Sequence, residues 1–214
     1  MKSTFVAAAI LAGGKARRFG GTVKSTLVLD GRRIIDRQIA ALRQVADPIF
    51  IVAPESSLFT SLGLLVVPDV LPDCGALGGI YTAIVKSPRR RTLVVAGDLP
   101  FLTGALLERL TRETAADLVV PRGPHGYEPL CAVYSDACAA PIRRRLDQGA
   151  LRAAVLPEGV HVEEIGPEML DAYDPHGLLF VNVNTPGDYE RARDLLESMP
   201  RWRRERITDK HSAS

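Results

Sequence analysis

Val6-Ala7-Ala8-Ala9-Ile10-Leu11-Ala12-Gly13-Gly14-Lys15-Ala16-Arg17-Arg18-Phe19-Gly20-Gly21 decides how the rest of the chain is read. The apolar run Val6 to Ala12 predicts a strand buried on both faces, the pattern of a parallel sheet. The glycines that follow let backbone N–H groups approach an anion with no side chain in the way. Arg17, Arg18 and, just beyond, Lys24 supply positive charge. Arginine offers a fork and lysine a point charge, and together they suit a triphosphate. Two commoner phosphate loops do not fit. A Walker loop needs glycine before its Lys-Ser pair, and here Val23 precedes Lys24-Ser25; nor can Gly13, Gly14, Gly20 and Gly21 be laid on G-x-G-x-x-G.

Outward from this segment, strand-length apolar runs alternate with helical patterns. Arg33 to Val45 reads as an amphipathic helix with Ile35, Ile39 and Leu42 on one stripe. Pro48 to Val52, Leu64 to Val67, Thr92 to Ala96, Leu118 to Val120 and Leu130 to Tyr134 read as strands, and Leu179 to Val183 as a late one. Leu77 to Val85, Thr103 to about Arg112, Cys138 to Leu146, and Pro186 to Glu197 read as helices, the last opened by the cap and first-turn proline of Thr185-Pro186. Residues 121–128 and 171–177 read as loops. The alternation predicts an α/β fold: an open, mostly parallel sheet with helices on both faces. Such sheets bind ligands at the carboxyl ends of their strands. Gly13, Gly14, Asp69, Asp98, Asn182 and Asn184 are all expected there.

Composition is that of an ordinary globular protein, 46% hydrophobic and 24% charged over 214 residues. It predicts one domain over residues 1–199 and a basic tail over 200–214. That tail holds Arg201, Arg203, Arg204, Arg206 and Lys210 against Glu205 and Asp209, a balance of +3 in a chain whose net charge is +2. The body therefore lacks the basic surplus of a nucleic-acid binder, and the tail reads as a solvated end rather than a partner-binding arm. No apolar run approaches the ~20 residues of a membrane helix, and the first one lacks a signal-peptide cleavage pattern. The odd, scattered Cys74, Cys131 and Cys138 read as reduced thiols of a cytoplasmic protein.

Two further motifs carry chemistry. In Gly97-Asp98-Leu99-Pro100-Phe101, a carboxylate directly follows a strand, beside the phosphate-binding crevice. Magnesium commonly takes one or two carboxylates, several waters and substrate phosphates, so Asp98 is the candidate metal ligand. In Phe180-Val181-Asn182-Val183-Asn184-Thr185-Pro186, strand alternation puts both asparagines on one face. Spacing alone leaves open whether they read a polar ligand or cap the next helix. His125, His161 and His176 read as surface residues and Cys131 as core, so no nucleophile–base pair is evident.

LAGGKARRFGG, GDLPF and FVNVNTP, in this order, resemble the molybdenum cofactor guanylyltransferase family, the MobA-type enzymes. Gly75-Ala76-Leu77-Gly78-Gly79 and Tyr127-Glu128-Pro129-Leu130 resemble its middle segments more loosely. The likeness runs from about residue 6 to 196. It implies transfer of GMP from Mg²⁺-bound GTP to the terminal phosphate of molybdopterin, with release of pyrophosphate. It implies that Leu11, Ala12 and Gly13 meet the nucleotide through backbone and that Lys24 binds its phosphates; the loop itself adds Gly14, Arg17 and Arg18 to that nucleotide-binding set. It further implies that Asp69 lies near the nucleotide, that Asp98 holds Mg²⁺, and that Asn182 and Asn184 face molybdopterin. Transient contact with molybdoenzyme maturation proteins belongs to the same implication, though no residue speaks for it. Two positions depart from the family pattern: Val23, where an aspartate usually precedes the loop lysine, and Val52, near a position that is often asparagine. A phosphate acceptor is already anionic, so the expected chemistry is positioning and charge neutralisation by Lys24, Asp98 with its metal, and Arg17 or Arg18, without a strong base.

Overall fold

Alternate residues of the first strand, β1 (Val6–Leu11), serve two cores. Val6, Ala8 and Ile10 face one side and Ala7 and Ala9 the other, all buried. A computed structural model describes this strand and the rest of the chain over residues 5–13, 24–54, 57–174 and 177–198. Gly14, Arg17, Arg18, Val23, His176 and the basic tail lie outside the described residues.

β1 is flanked on both sides by parallel neighbours, β4 (Ile49–Val52) and β6 (Arg91–Ala96), and β5 (Leu65–Val67) lies beyond β4. On the other side of β6 come β9 (Cys131–Ser135), β7 (Leu118–Gly123) and β10 (Val162–Ile165), giving the order β10-β7-β9-β6-β1-β4-β5. β9 runs antiparallel to both its neighbours, and β10 is parallel to β7. The sheet is thus open and mostly parallel, as the alternation of runs predicts. A short hairpin, β2 (Val28–Leu29) with β3 (Arg32–Arg33), stands apart from it.

Helices cover both faces. α1 (Ile34–Leu42) buries Ile35, Ile39 and Leu42 with Leu106, Leu107 and Leu110 of α3 (Gly104–Leu110) and Leu170 of α5 (Pro167–Leu170). α2 (Gly75–Lys86) and α4 (Ala139–Asp147) bury Leu77, Ile80, Ile142 and Leu146 on the opposite face. Each such leucine or isoleucine contributes roughly 1.5–3 kcal/mol when removed from water. The Thr103 hydroxyl accepts a hydrogen bond from the Leu106 N–H, capping α3. A third, smaller core joins the hairpin to α6 (Pro186–Ser198) through Leu29, Ile34, Phe101, Val183, Ala192 and Leu196.

Two expectations are corrected. Leu179 to Val183 is not a strand: it pairs with no other strand and runs as a turn followed by irregular backbone. Its apolar alternation reports burial in two separate cores, Leu179 in that of α1 and Val183 in that of α6. Nor is 121–128 a loop throughout. β7 continues to Gly123 and turns back through β8 (Gly126–Tyr127), with Arg122 opposite Tyr127. The apolar pattern ends at Val120, but the ladder continues because backbone pairing does not require apolar side chains.

Candidate active site

Register sets the site. Leu11 of β1 lies level with Ala96 of β6, so Ala12-Gly13 and Gly97-Asp98 leave the sheet side by side. The Gly97 N–H donates to the Leu11 carbonyl at 2.9 Å. A Cβ on Gly97 would stand 3.1 Å from that carbonyl oxygen and 3.2 Å from Ser25 Cβ, so a side chain here would push these closely packed segments apart. Beyond the strand ends opens a cleft of about 680 Å³, lined by Leu11, Ala12, Gly13, Val52, Asp69 and the start of α2, with Lys24, Ser25 and Asp98 also on its wall. The first turn of α2 leaves backbone N–H groups without helical partners, which makes that end of the cleft electropositive.

Lys24 opens a single 3-10 turn over Lys24–Thr26. Its ammonium lies 3.6 Å from an Asp98 carboxylate oxygen and donates to Asn184 Oδ1 at 2.5 Å. The Val183 N–H donates to the Asp98 carbonyl at 3.0 Å, so residues 183–184 grip both partners of the pair. Burial raises the Asp98 pKa above the ordinary carboxylate value, against the opposing pull of the Lys24 charge. Asp69 follows β5; burial raises its pKa too, and a hydrogen bond with Thr82 of α2 opposes that rise. Two buried polar atoms on this wall, Ser25 Oγ and Asp69 Oδ1, lack a partner among the described residues. Leaving such atoms unpaired costs roughly 1–3 kcal/mol each, which a polar ligand offsets.

Of the residues expected from sequence, the structure gathers Leu11, Ala12, Gly13, Lys24, Asp69 and Asp98 around one cleft and brings Asn184 to Lys24. Asn182 is exposed and does not share a strand face with Asn184, because there is no strand. Asn184 and Thr185 also take part in the cap of α6: both N–H groups donate to Asp188 Oδ2, at 3.1 and 2.8 Å, and the Asp188 N–H returns a bond to Thr185 Oγ1. His125 and His161 are exposed and Cys131 is buried in the core.

Sequence reasoning missed Gln38. It is buried on α1, and its Nε2 donates to the carbonyls of Ala96 at 2.7 Å and Leu99 at 3.0 Å, on either side of Gly97-Asp98. The signal was present: Gln38 interrupts the apolar stripe of Ile35, Ile39 and Leu42, where a polar residue needs a partner. Ser25 was named only as the neighbour of Lys24.

A glycine-bearing strand end, a lysine and a strand-end carboxylate around one cleft are what a nucleotide triphosphate requires, and the chain's likenesses agree. Residues 8–162 match the MobA-like NTP transferase domain. The chain belongs to the MobA-like NTP transferase family. A member of the family from Desulfosudis oleivorans, described as molybdenum cofactor guanylyltransferase, is 35% identical over 191 residues, 88% of this chain and 95% of that one. The crystal structure of molybdopterin-guanine dinucleotide biosynthesis protein A from Archaeoglobus fulgidus superposes with a TM-score of 0.73 at 27% identity, covering 90% of this chain and 99% of that one. MobA-like NTP transferases are nucleotidyltransferases, and this chain is one of them by fold and by sequence.

Proposed function

We propose that the chain transfers GMP from Mg²⁺-bound GTP to molybdopterin, forming the guanine dinucleotide cofactor and pyrophosphate. The observation that carries this reading is the Lys24–Asp98 pair gripped by residues 183–184 at the mouth of the glycine-walled cleft. Backbone at Leu11, Ala12 and Gly13 meets the nucleotide, Asp69 lies on its far side, and Lys24 neutralises its phosphates. Arg17, Arg18 and Gly14 belong to the same proposed set.

The donor set fits a magnesium ion. No group of three or more His, Cys, Asp or Glu side chains poised for a metal occurs among the described residues, so a metal held by an all-protein cage is not the fit here. One carboxylate beside a phosphate site, loosely paired at 3.6 Å with a lysine, matches a cation completed by waters and phosphates. Asp98 would hold it, and the bound ion would add positive charge where the α-phosphorus is attacked. The chain's own part is positioning. Gln38 fixes the backbone on either side of Asp98, Asn184 fixes the Lys24 ammonium, and the acceptor phosphate attacks the α-phosphorus in line as pyrophosphate leaves. No described side chain need remove a proton from an already anionic nucleophile.

Val52 lines the cleft near a position that is often asparagine in the family, so a polar side-chain contact to the base is not supplied from Val52 and the choice of base is the part of the reading to test. A thermal-shift panel of GTP, CTP, ATP and UTP, each with and without Mg²⁺, tests this directly. GTP with Mg²⁺ should raise the melting point most, by the equivalent of about 2.7 kcal/mol at a hundredfold excess over Kd. A larger shift with CTP would replace the guanylyl reading with a cytidylyl one. Failure to release pyrophosphate from GTP and molybdopterin would leave a nucleotide-binding protein without transferase activity.

A further inference from the structure

Beyond Asp98, where β7 ends and β9 begins, the sheet edge holds an acidic group that the reaction as described does not use. Glu128 precedes β9 in Tyr127-Glu128-Pro129-Leu130. Its backbone is fixed on both sides, with its N–H donating to the Pro121 carbonyl and its carbonyl accepting from the Cys131 N–H. β7 runs parallel to β1 and β6 through the intervening antiparallel β9, so the end of β7 and the start of β9 lie on the same edge as Asp98. Leu130, two residues on, lines the cleft, and its carbonyl accepts from the Ala96 N–H at 2.8 Å.

The Glu128 side chain is half-buried. A Cβ on Gly123 would stand 3.2 Å from its Oε1 and 3.6 Å from Phe180 Cδ2, so carboxylate, glycine and aromatic ring meet at the end of β7. Among the described residues no side chain or backbone group donates a hydrogen bond to this carboxylate, and burial pushes its pKa up to about 7. The segment 180–184 runs from Phe180, beside Glu128, to Asn184, on Lys24. Four residues span at most roughly 14 Å. One end of this stretch thus carries the cation for phosphates. The other carries a carboxylate that repels phosphates and lacks donors.

We infer that Glu128 binds the heterocycle of the acceptor, accepting two hydrogen bonds from the adjacent ring N–H and exocyclic amine of a 2-amino-4-oxo pterin. The inference rests on the transferase reading above and names the part of its acceptor that this carboxylate takes. Two neighbouring N–H donors match the two oxygens of a carboxylate. The ring then lies against Phe180, which the missing side chain of Gly123 lets approach the end of β7 together with Glu128. Guanine presents the same donor pair, but the nucleotide cleft lies on the β1-β4-β5 side of Asp98 and Glu128 on the β9-β7 side.

Glu128→Gln tests this without changing shape. The amide keeps one acceptor but turns a second donor toward the ligand's donors. Steady-state assays of the full chain with Mg²⁺-GTP and molybdopterin should show the KM for molybdopterin raised roughly tenfold to a hundredfold, in line with loss of a charge-assisted pair. The KM for GTP and the GTP-induced thermal shift should stay at wild-type values. Turnover with an unchanged KM for molybdopterin overturns the role of Glu128 and leaves the transferase reading standing. A raised KM for GTP instead assigns the carboxylate to guanine and equally overturns it. No product from the wild-type chain overturns the transferase reading itself, and with it the inference.

Discussion

The two halves of the sheet's carboxyl edge are built differently. On the nucleotide side, β1, β4, β5 and β6 run parallel, and their ends present backbone, glycine and proline to the cleft. On the acceptor side the antiparallel β9 intervenes, and the edge is completed by an irregular segment that presents Phe180, Asn182 and Asn184, with Glu128 beside it. Backbone donors read a shape common to all triphosphates. Side chains on irregular backbone read particular chemistry and can change without unpairing a strand. In the proposed reaction the parallel half would hold what any nucleotidyltransferase needs, and the mixed half what selects an acceptor.

Asp98, at the junction, should give the largest effect. Asp98→Ala is expected to lower kcat by about 10²–10³-fold, equivalent to roughly 3–4 kcal/mol, with an unchanged circular dichroism spectrum. Because burial raises the Asp98 pKa, the metal requirement in the wild type should rise as pH falls, starting at a higher pH than an ordinary carboxylate would produce. Retained activity in Asp98→Ala would remove the junction and, with it, the division into halves.

The two asparagines sharpen the comparison at a smaller scale. Asn184 holds Lys24 and so belongs mechanically to the proposed phosphate site, whereas Asn182 is exposed. Asn184→Ala should cost about tenfold in kcat/KM for both substrates, the price of one hydrogen bond to a charged group. Asn182→Ala should change only the KM for molybdopterin, by about two- to fivefold. Equal effects of the two variants on both substrates would show that the segment acts as one unit.

The smallest effect is on stability. The Glu128 pKa is raised to about 7, above its unfolded value near 4.5, so the native state binds more protons between those values and stability falls as pH rises through them. The contribution is complete below about pH 4.5 and lost above about pH 7. Discounted for the water that still reaches the carboxylate, it amounts to about 1 kcal/mol, or roughly 2–4 °C in Tm. Thermal melts of Glu128→Gln should lack that decline, and an identical pH profile in wild type and variant would mean that the carboxylate is not desolvated.

The same division explains what is legible in the sequence. β1, β4 and β6 are buried on both faces, so they appear as continuous apolar runs, and Gly13 and Asp98 are marked as strand-end residues. The acceptor half gives weaker signals. β10 is an edge strand whose Val-Glu-Glu-Ile keeps two carboxylates, Glu163 paired with Arg109 on one face and Glu164 exposed on the other. The hairpin strands are two residues each, too short to show a period. Leu179, Val181 and Val183 alternate as a strand does, yet two separate cores, not a ladder, account for the pattern. Gln38 leaves a local mark, a polar residue in an apolar stripe, but its partners lie 58 residues away or more, and Glu128 is set apart only by a lack of contacts, which no local pattern records.

The grip of Val183 and Asn184 on Asp98 and Lys24 also sets an order of assembly. A chain made from its amino end lays down β1, Lys24 and Asp98 well before residues 178–198, and the small core of Leu29, Ile34, Phe101 and Val183 needs both. Every described residue that lines the cleft, the last of them Leu130, is made before that later stretch. The lysine, however, receives its asparagine only once α6 has emerged and docked, so competence for transfer is among the last properties the growing polypeptide acquires.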